Sequence, residues 1–449
     1  MGTKKIAIRS LVSAGLMAVL ALGFSAGRAA AVPAFAVQTG KACVSCHVGG
    51  FGPQLTPYGR EFKMGGYTTR AVAFNAPISA MAVASYVGAK ASQASPPAAD
   101  FRTNDNVALD QASVFIAGGL GDHFGGFIQT TYDGVARAFH WDNLDLRAVT
   151  TATVKGVPMV LGLSVNNAPT VQDAFNTLPA WGFPYTASSL APAPGSAPLV
   201  GSLAQNTIGL TAYAWINSQF YVEAGGYRSP TPSLLTRIGI DPTDPGAIQG
   251  TAPYARLAYL KDFGDRNFQV GAFLMQANLL PGLDNSTGMT DHYRDVGLDA
   301  SYQLFAANHN VFTLNSRYIY ETQNLDASQA LGMAAHSNQR LRDARVDASY
   351  YFGDVIGVTA GAFNTTGSGD SLLYAANRTL RPDSSGLSLQ VDGTPFGTPN
   401  SPLGPRFNIR IGAQYISYLR FDGAAKNYDG SGRSAADNNT FRVFLWAAY

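Results

Sequence analysis

Charge is what this 449-residue chain has least of: only 13% of its residues are Asp, Glu, Lys or Arg, about half the usual share for a soluble globular protein. A surface that meets water on every side needs more, so much of the outside of this molecule faces something else. Long apolar runs are scarce as well. Beyond residue 24 no stretch reaches the ~18 apolar residues that mark a membrane-crossing helix. A helical membrane protein is therefore excluded for the mature chain. The formal net charge is +2, and with no basic excess nucleic acid is excluded as a partner. Cysteine is limited to Cys43 and Cys46, too few for a disulfide framework. Glycine (48), tyrosine (21) and phenylalanine (25) are plentiful instead.

The first residues name the compartment. Lys4, Lys5 and Arg9 form a basic start, residues 11–24 are apolar, and Ala29-Ala30-Ala31 offers a small-residue cleavage site. This pattern reads as a secretion signal over residues 1–31; the alternative is an uncleaved anchor, for which the apolar run is short. Removing Lys4, Lys5, Arg9 and Arg28 takes the formal charge from +2 to −2.

Two cysteines in an exported chain first suggest one disulfide, but the run Cys43-Val44-Ser45-Cys46-His47 redirects that reading. In a Cys-x-x-Cys-His motif two thioether bonds hold the vinyl groups of one haem c, and the adjacent imidazole reaches the iron as proximal ligand. A redox Cys-x-x-Cys would be expected beside a βαβ pattern, which is lacking. Residues 48–67 then read as the floor of a small haem pocket. Thr56 suits an N-cap, Pro57 the first helical position, and Gly65 a left-handed stop. Tyr58 and Phe62 would share one face of that short helix. Met64 is the nearest candidate for a distal iron ligand, with packing as its other reading. His123, His140, His292, His309 and His336 are alternatives that fall in or near strands and loops. Arg60 and Lys63 could pair with haem propionates or simply be solvated.

From about residue 76 onward the pattern is alternation. Residues 78–83, 268–277, 293–304, 312–320 and 409–418 all show it, and Phe441, Val443, Leu445, Ala447 and Tyr449 fall on one face of a terminal strand. Segments of about ten residues with period two, rich in aromatics and separated by turns, predict an antiparallel outer-membrane barrel. The turns fall into short ones (Gly121-Asp122, Lys155-Gly156, Asn217-Ser218, Gly264-Asp265, residues 306–309, Gly353-Asp354) and long ones (167–203, 229–249, 281–291, 324–337, 421–437). Short turns belong on the periplasmic side and long loops outside. The evident strands number about fifteen, so the last would run the wrong way. One more is required within 367–403, and residues 385–391 alternate suitably. The fold class is thus mainly β: an up-and-down transmembrane barrel of about 16 strands with a small N-terminal helical haem plug. The expected division is 1–31 signal, 32–75 plug and 76–449 barrel. A soluble β-sandwich would not explain the low charge.

The segment AFAVQTGKACVSCH ending at His47, then PQLTPYGREFK from Pro53 to Lys63, and NYDGSGR from Asn427 with DNNT from Asp437, resembles the fused outer-membrane monohaem cytochrome–porin family of iron-oxidising bacteria. That resemblance implies one haem c on Cys43, Cys46 and His47. It further implies electron transfer from extracellular Fe(II), or another donor, to a periplasmic c-type cytochrome, across an outer-membrane lipid bilayer. Two other functions are open at this point: a solute porin with a tethered sensory or redox haem, and a membrane-embedded haem peroxidase, though no distal His/Arg pair lies near Cys43. Asp241, Asp244, Asp284, Asp291, Asp422 and Asp429 could attract ferrous ions as hard oxygen ligands, or merely solvate loops.

Overall fold

A strand that alternates apolar and polar side chains presents one face to hydrocarbon and the other to an interior. In the computed structural model, which describes residues 33–71, 78–403 and 407–449, seventeen such strands form a single antiparallel sheet. The proposed signal, residues 1–31, lies outside the described residues, as does the 75/76 boundary. The first strands are β1 (Ile78–Ala89), β2 (Asn106–Leu120), β3 (Phe124–Asp133), β4 (Ala138–Val154), β5 (Val157–Asn166), β6 (Ile208–Ile216), β7 (Phe220–Arg228) and β8 (Ala247–Ile248). They continue as β9 (Ala252–Asp262), β10 (Arg266–Leu280), β11 (Asp291–Ala306), β12 (Asn310–Asn324), β13 (Asn338–Phe352) and β14 (Ile356–Gly367). The last are β15 (Ser384–Gly393), β16 (Asn408–Arg420) and β17 (Thr440–Ala448).

β8 is a two-residue strand against the end of β10. The other sixteen pair in sequence order, and β17 closes on β1 from Met81↔Ala448 to Ala89↔Thr440. The molecule is a closed sixteen-strand up-and-down barrel. β15 is the strand that the alternation required within 367–403. Among the described residues no helix is long and apolar enough to cross a membrane; closure lets strands do so, because no sheet edge is left with unpaired backbone groups.

The outer wall exposes a band of large apolar side chains, among them Leu210, Val222, Leu257, Val270, Leu298 and Leu387. Aromatic contacts such as Phe220–Tyr259 and Tyr259–Phe268 lie near one rim, as in the girdles of membrane barrels. At that rim the strands are joined by the short links 121–123, 155–156, 217–219, 263–265, 307–309 and 353–355. The longer loops gather at the opposite rim, with one departure on each side: 394–407 is long and 134–137 is short.

Much of the barrel interior is occupied by the chain itself. Length alone assigns 167–203 to the outer loops, yet residues 166–178 are all buried because the segment turns into the barrel. Polar chemistry drives the turn. Asp173 accepts from Arg256 of β9 at 3.0 Å and Gln269 of β10 at 3.1 Å. It also accepts from the Thr177 and Leu178 backbone at 2.7 and 3.1 Å. Farther along, the Leu199 and Val200 N–H groups donate to Glu321 of β12 and Asp295 of β11 at 2.6 and 2.8 Å. Arg256 also holds Asp299 of β11 at 2.7 Å, so it bridges two carboxylates in the barrel interior.

Taking one partner from a buried ionic cluster leaves uncompensated charge and costs about 3–5 kcal/mol. Arg256→Ala is therefore expected to lower the urea midpoint of the refolded barrel and to expose the 167–207 segment to protease. Arg228→Ala, which removes an exposed side chain bonded only to Thr251, should leave both unchanged. Equal behaviour of the two variants would refute the anchoring role.

Candidate functional site

The Cys-x-x-Cys-His run sits inside the barrel, toward the short-link rim. Its four residues Cys43–Cys46 form one helical turn, in which the Ser45 N–H donates to the Ala42 carbonyl and the His47 N–H to the Cys43 carbonyl, each at 2.9 Å. His47 leaves the turn in an extended conformation and pairs with Leu55 as an antiparallel bridge. Between them runs a tight reversal with Gly49, Gly50 and Gly52 at positive φ. Gly49 has no room for a side chain as well, since a Cβ there would overlap the ring of Tyr351 in β13.

The helix Pro57–Met64 braces that turn. Thr56 caps it by accepting from the Gly59 N–H at 3.2 Å, and Pro57 takes the first position. The same hydroxyl donates to the Ser45 carbonyl at 2.6 Å, and the Thr56 N–H donates to the Cys46 carbonyl at 2.9 Å. Gly59 allows the close approach, because a Cβ there would collide with the Cys46 carbonyl. One expectation shifts by a residue. Gly65 continues the helical ladder by donating to Glu61 at 2.8 Å, so the left-handed reversal falls on Gly66 instead. Phe62 packs edge-on to Phe35 at 5.0 Å, and Phe35 stacks on Tyr67 at 5.2 Å.

The barrel wall holds this plug at both ends. Tyr213 donates to the Met64 carbonyl at 2.8 Å, Arg147 to the Lys63 carbonyl at 3.0 Å, and Tyr67 to Asp145 at 2.7 Å. Across the lumen, Gln303 donates to the Leu55 carbonyl at 3.0 Å and Asn408 to the Gly50 carbonyl at 2.8 Å.

Cys43 and Cys46 are not joined in a disulfide. Burial, with the neighbouring Cys43, pushes the Cys46 thiol up to about 12, and Cys43 is raised for the same first reason. A reactive redox pair requires the opposite, a thiol pKa lowered toward neutrality. His47 is held down to about 4 by burial, which hydrogen bonding to the Gly52 backbone opposes; the ring is neutral at physiological pH. Its Nδ1 is buried with no hydrogen-bond partner.

Beside His47 and Cys46 opens a cavity of ≈ 400 Å³, within the range of cofactor pockets. Its walls include many aromatic rings, among them Phe35, Phe51 and Phe62 of the plug, with Phe127, Trp181 and Trp446 of the barrel and its inward loop. Lys63 and Asn176 supply part of a polar side. Burial lowers the Lys63 ammonium to about 7, and it donates to the Asp173 carbonyl and the Asn176 side chain, both at 2.8 Å. Arg60 is turned away. It donates to Gln303 at 2.6 Å and covers the Phe175 ring.

The remaining candidates lie elsewhere. Met64 is buried among Val149, Phe175, Tyr213, Tyr221 and Leu260 and does not line the cavity. His123, His292, His309 and His336 are exposed, His140 is partly so, and none borders the cavity. Asp291 is a buried strand residue bonded to Ser328, while the other five acids fall on three loops: Asp241 with Asp244, Asp284 alone, and Asp422 with Asp429. Among the described residues no three His, Cys, Asp or Glu side chains converge on a metal-sized site. The methionine that does line the cavity is Met81. The inward register of β1 would have pointed to it, since odd-numbered positions there face the lumen.

No protein-family model matches the chain, and no curated protein matches it in sequence. Solved structures of outer-membrane barrels are similar at low identity. OmpF of Salmonella typhi, in complex with daunomycin, gives a TM-score of 0.47 at 13% identity over 83% of this chain and 97% of that one. The anion-selective porin from Comamonas acidovorans gives 0.43 at 13% over 83% and 98%. Outer-membrane expressed OmpT of Vibrio cholerae gives 0.43 at 10% over 84% and 99%. These likenesses bear on no function.

In protein made without haem, the Cys46 thiolate fraction at pH 8 should be about 10⁻⁴ for a pKa of about 12, against about a quarter for a free thiol. Iodoacetamide is accordingly expected to label Cys46 far more slowly in the folded barrel than in urea. Equal rates would rule out the burial described.

Proposed function

We propose that this chain is an outer-membrane cytochrome–porin of the fused monohaem type, a barrel that carries one covalent haem c and passes electrons rather than solutes. The observation that carries the reading is a buried imidazole, His47, held by the Gly52 backbone beside a cavity rich in aromatic rings inside the lumen. Cys46, His47 and Lys63 line the cavity and fit the group, and Cys43 stands in the same helical turn just outside that lining. Cys43 and Cys46 would form the thioethers, and His47 would be the proximal ligand. Lys63 puts an amine on the polar side, suited to donating to a propionate. Haem, when bound, supplies reversible one-electron exchange. The protein's own part is to desolvate the ring plane with Phe35, Phe51 and Phe62, to orient His47 through the Gly52 backbone, and to hold the two aqueous sides apart.

The resemblance supplies the partners: extracellular Fe(II) or another donor outside, and a periplasmic c-type cytochrome within. One haem does not span ~30 Å of hydrocarbon, so a partner must enter a barrel mouth. The packed lumen speaks against the solute porin. Arg147, Arg256, Asp299 and Glu321 all face inward and are buried, whereas a conducting pore hydrates such groups. Peroxide chemistry lacks its residues: among the described cavity-lining residues there is no second histidine and no arginine.

Protein matured with haem is expected to retain haem through a denaturing gel and to show a c-type spectrum that Fe(II) reduces rapidly. His47→Ala should lose the low-spin spectrum. In planar bilayers the wild type should stay near the baseline conductance. Absence of covalent haem, or porin-sized conductance with a haem that Fe(II) leaves oxidised, would overturn the proposal.

A further inference from the structure

We propose that Met81, on the first strand of the barrel wall, is the distal ligand of the iron; this rests on the haem reading above. A low-spin haem needs a second axial donor, and the cavity offers few. Tyr67 has committed its hydroxyl to Asp145, and Lys63 has committed its ammonium to Asp173 and Asn176. Asp142 accepts from Thr131 at 2.7 Å and Gln205 at 2.8 Å. Tyr185 lines the cavity with an unpartnered hydroxyl. Only a phenolate ligates iron well, though, and burial raises that phenol well above its ordinary value; it suits a hydrogen-bond donor instead. Among the described residues the cavity's one thioether is that of Met81.

Its sulphur is placed by the wall. Met81 pairs with Ala448 of β17 on one side and Ser113 of β2 on the other, so its backbone is fixed on both flanks. The Trp446 indole N–H donates to the sulphur at 3.3 Å. The Gln111 side-chain amide makes a second, longer contact to the sulphur at 3.9 Å; of the two lone pairs, the one in this weaker contact is the one a soft ligand bond would take over. The indole acts as the outer partner that orients a metal ligand and tunes its donation.

The arrangement divides the axial ligands between two bodies: His47 comes from the plug and Met81 from the barrel. Iron bound by both would tie the plug to the wall where Phe51 already packs on Trp446, 4.7 Å between ring centroids. Histidine–methionine ligation also raises a haem potential, which suits a site that must accept electrons from a mild reductant.

Magnetic circular dichroism and redox titration of the matured, full-length barrel test this. Ferric wild-type protein should show the far-red sulphur-to-iron charge-transfer band. Met81→Leu, which keeps volume and removes the donor, should keep covalent haem but lose that band, shift the midpoint potential downward and bind added imidazole. Met81→His should restore a low-spin spectrum without the band. Met64→Ala should keep the band. A band that survives Met81→Leu, is absent from the wild type, or disappears in Met64→Ala would overturn the assignment. A barrel with no covalent haem would instead refute the reading beneath it.

Discussion

Backbone hydrogen bonding in hydrocarbon is the constraint on which this molecule is built. Every N–H and C=O that reaches lipid depth must find a partner within the protein, and a sheet meets that demand only when its last strand returns to its first. The β1–β17 pairing does this. Once the wall is closed, its alternating side chains are sorted without further instruction. Leu210, Leu257 and Leu298 face outward, while Arg147, Arg256 and Glu321 face in.

The inward residues create a second problem, since a buried charge is costly without a partner. Here the interior is filled so that Arg147 meets Asp145 and Arg256 meets Asp173 and Asp299. Two segments do the filling, the plug that carries Cys43 to His47 and the loop after β5. They lock to each other as well as to the wall: Lys63 reaches Asp173, and Asn176 donates to the Pro53 carbonyl at 2.6 Å. What remains between them is a space rich in aromatic rings beside His47. The barrel thereby encloses a site, and the proposed electron transfer uses that pocket.

Much of this could be read along the chain. Strand number, the antiparallel class, the strand near residue 387 and the Thr56-Pro57 helix start all rest on local periodicity or capping. These depend on near neighbours, and the structure agrees with each. The inward path of 167–207 could not be read, because nothing in its length or composition distinguishes a loop over the rim from one folded beneath it. The partners that draw it in, Arg256, Gln269 and Glu321, lie 83, 96 and 122 residues from their contacts. Met64 illustrates the same limit. Nearness in sequence made it the first distal candidate, but its side chain emerges on the helix face that meets Tyr213 and Tyr221.

By itself, then, the amino-acid order determined the alternation that makes a barrel and the Cys43-Val44-Ser45-Cys46-His47 spacing, because both are short-range: side-chain direction repeats every two residues, and one helical turn brings the two cysteines and the histidine together. The tertiary structure alone decided that the lumen is packed and that Met81 rather than Met64 borders the cavity. Those outcomes depend on which distant strands face each other once the sheet has closed, a relation that no local pattern encodes.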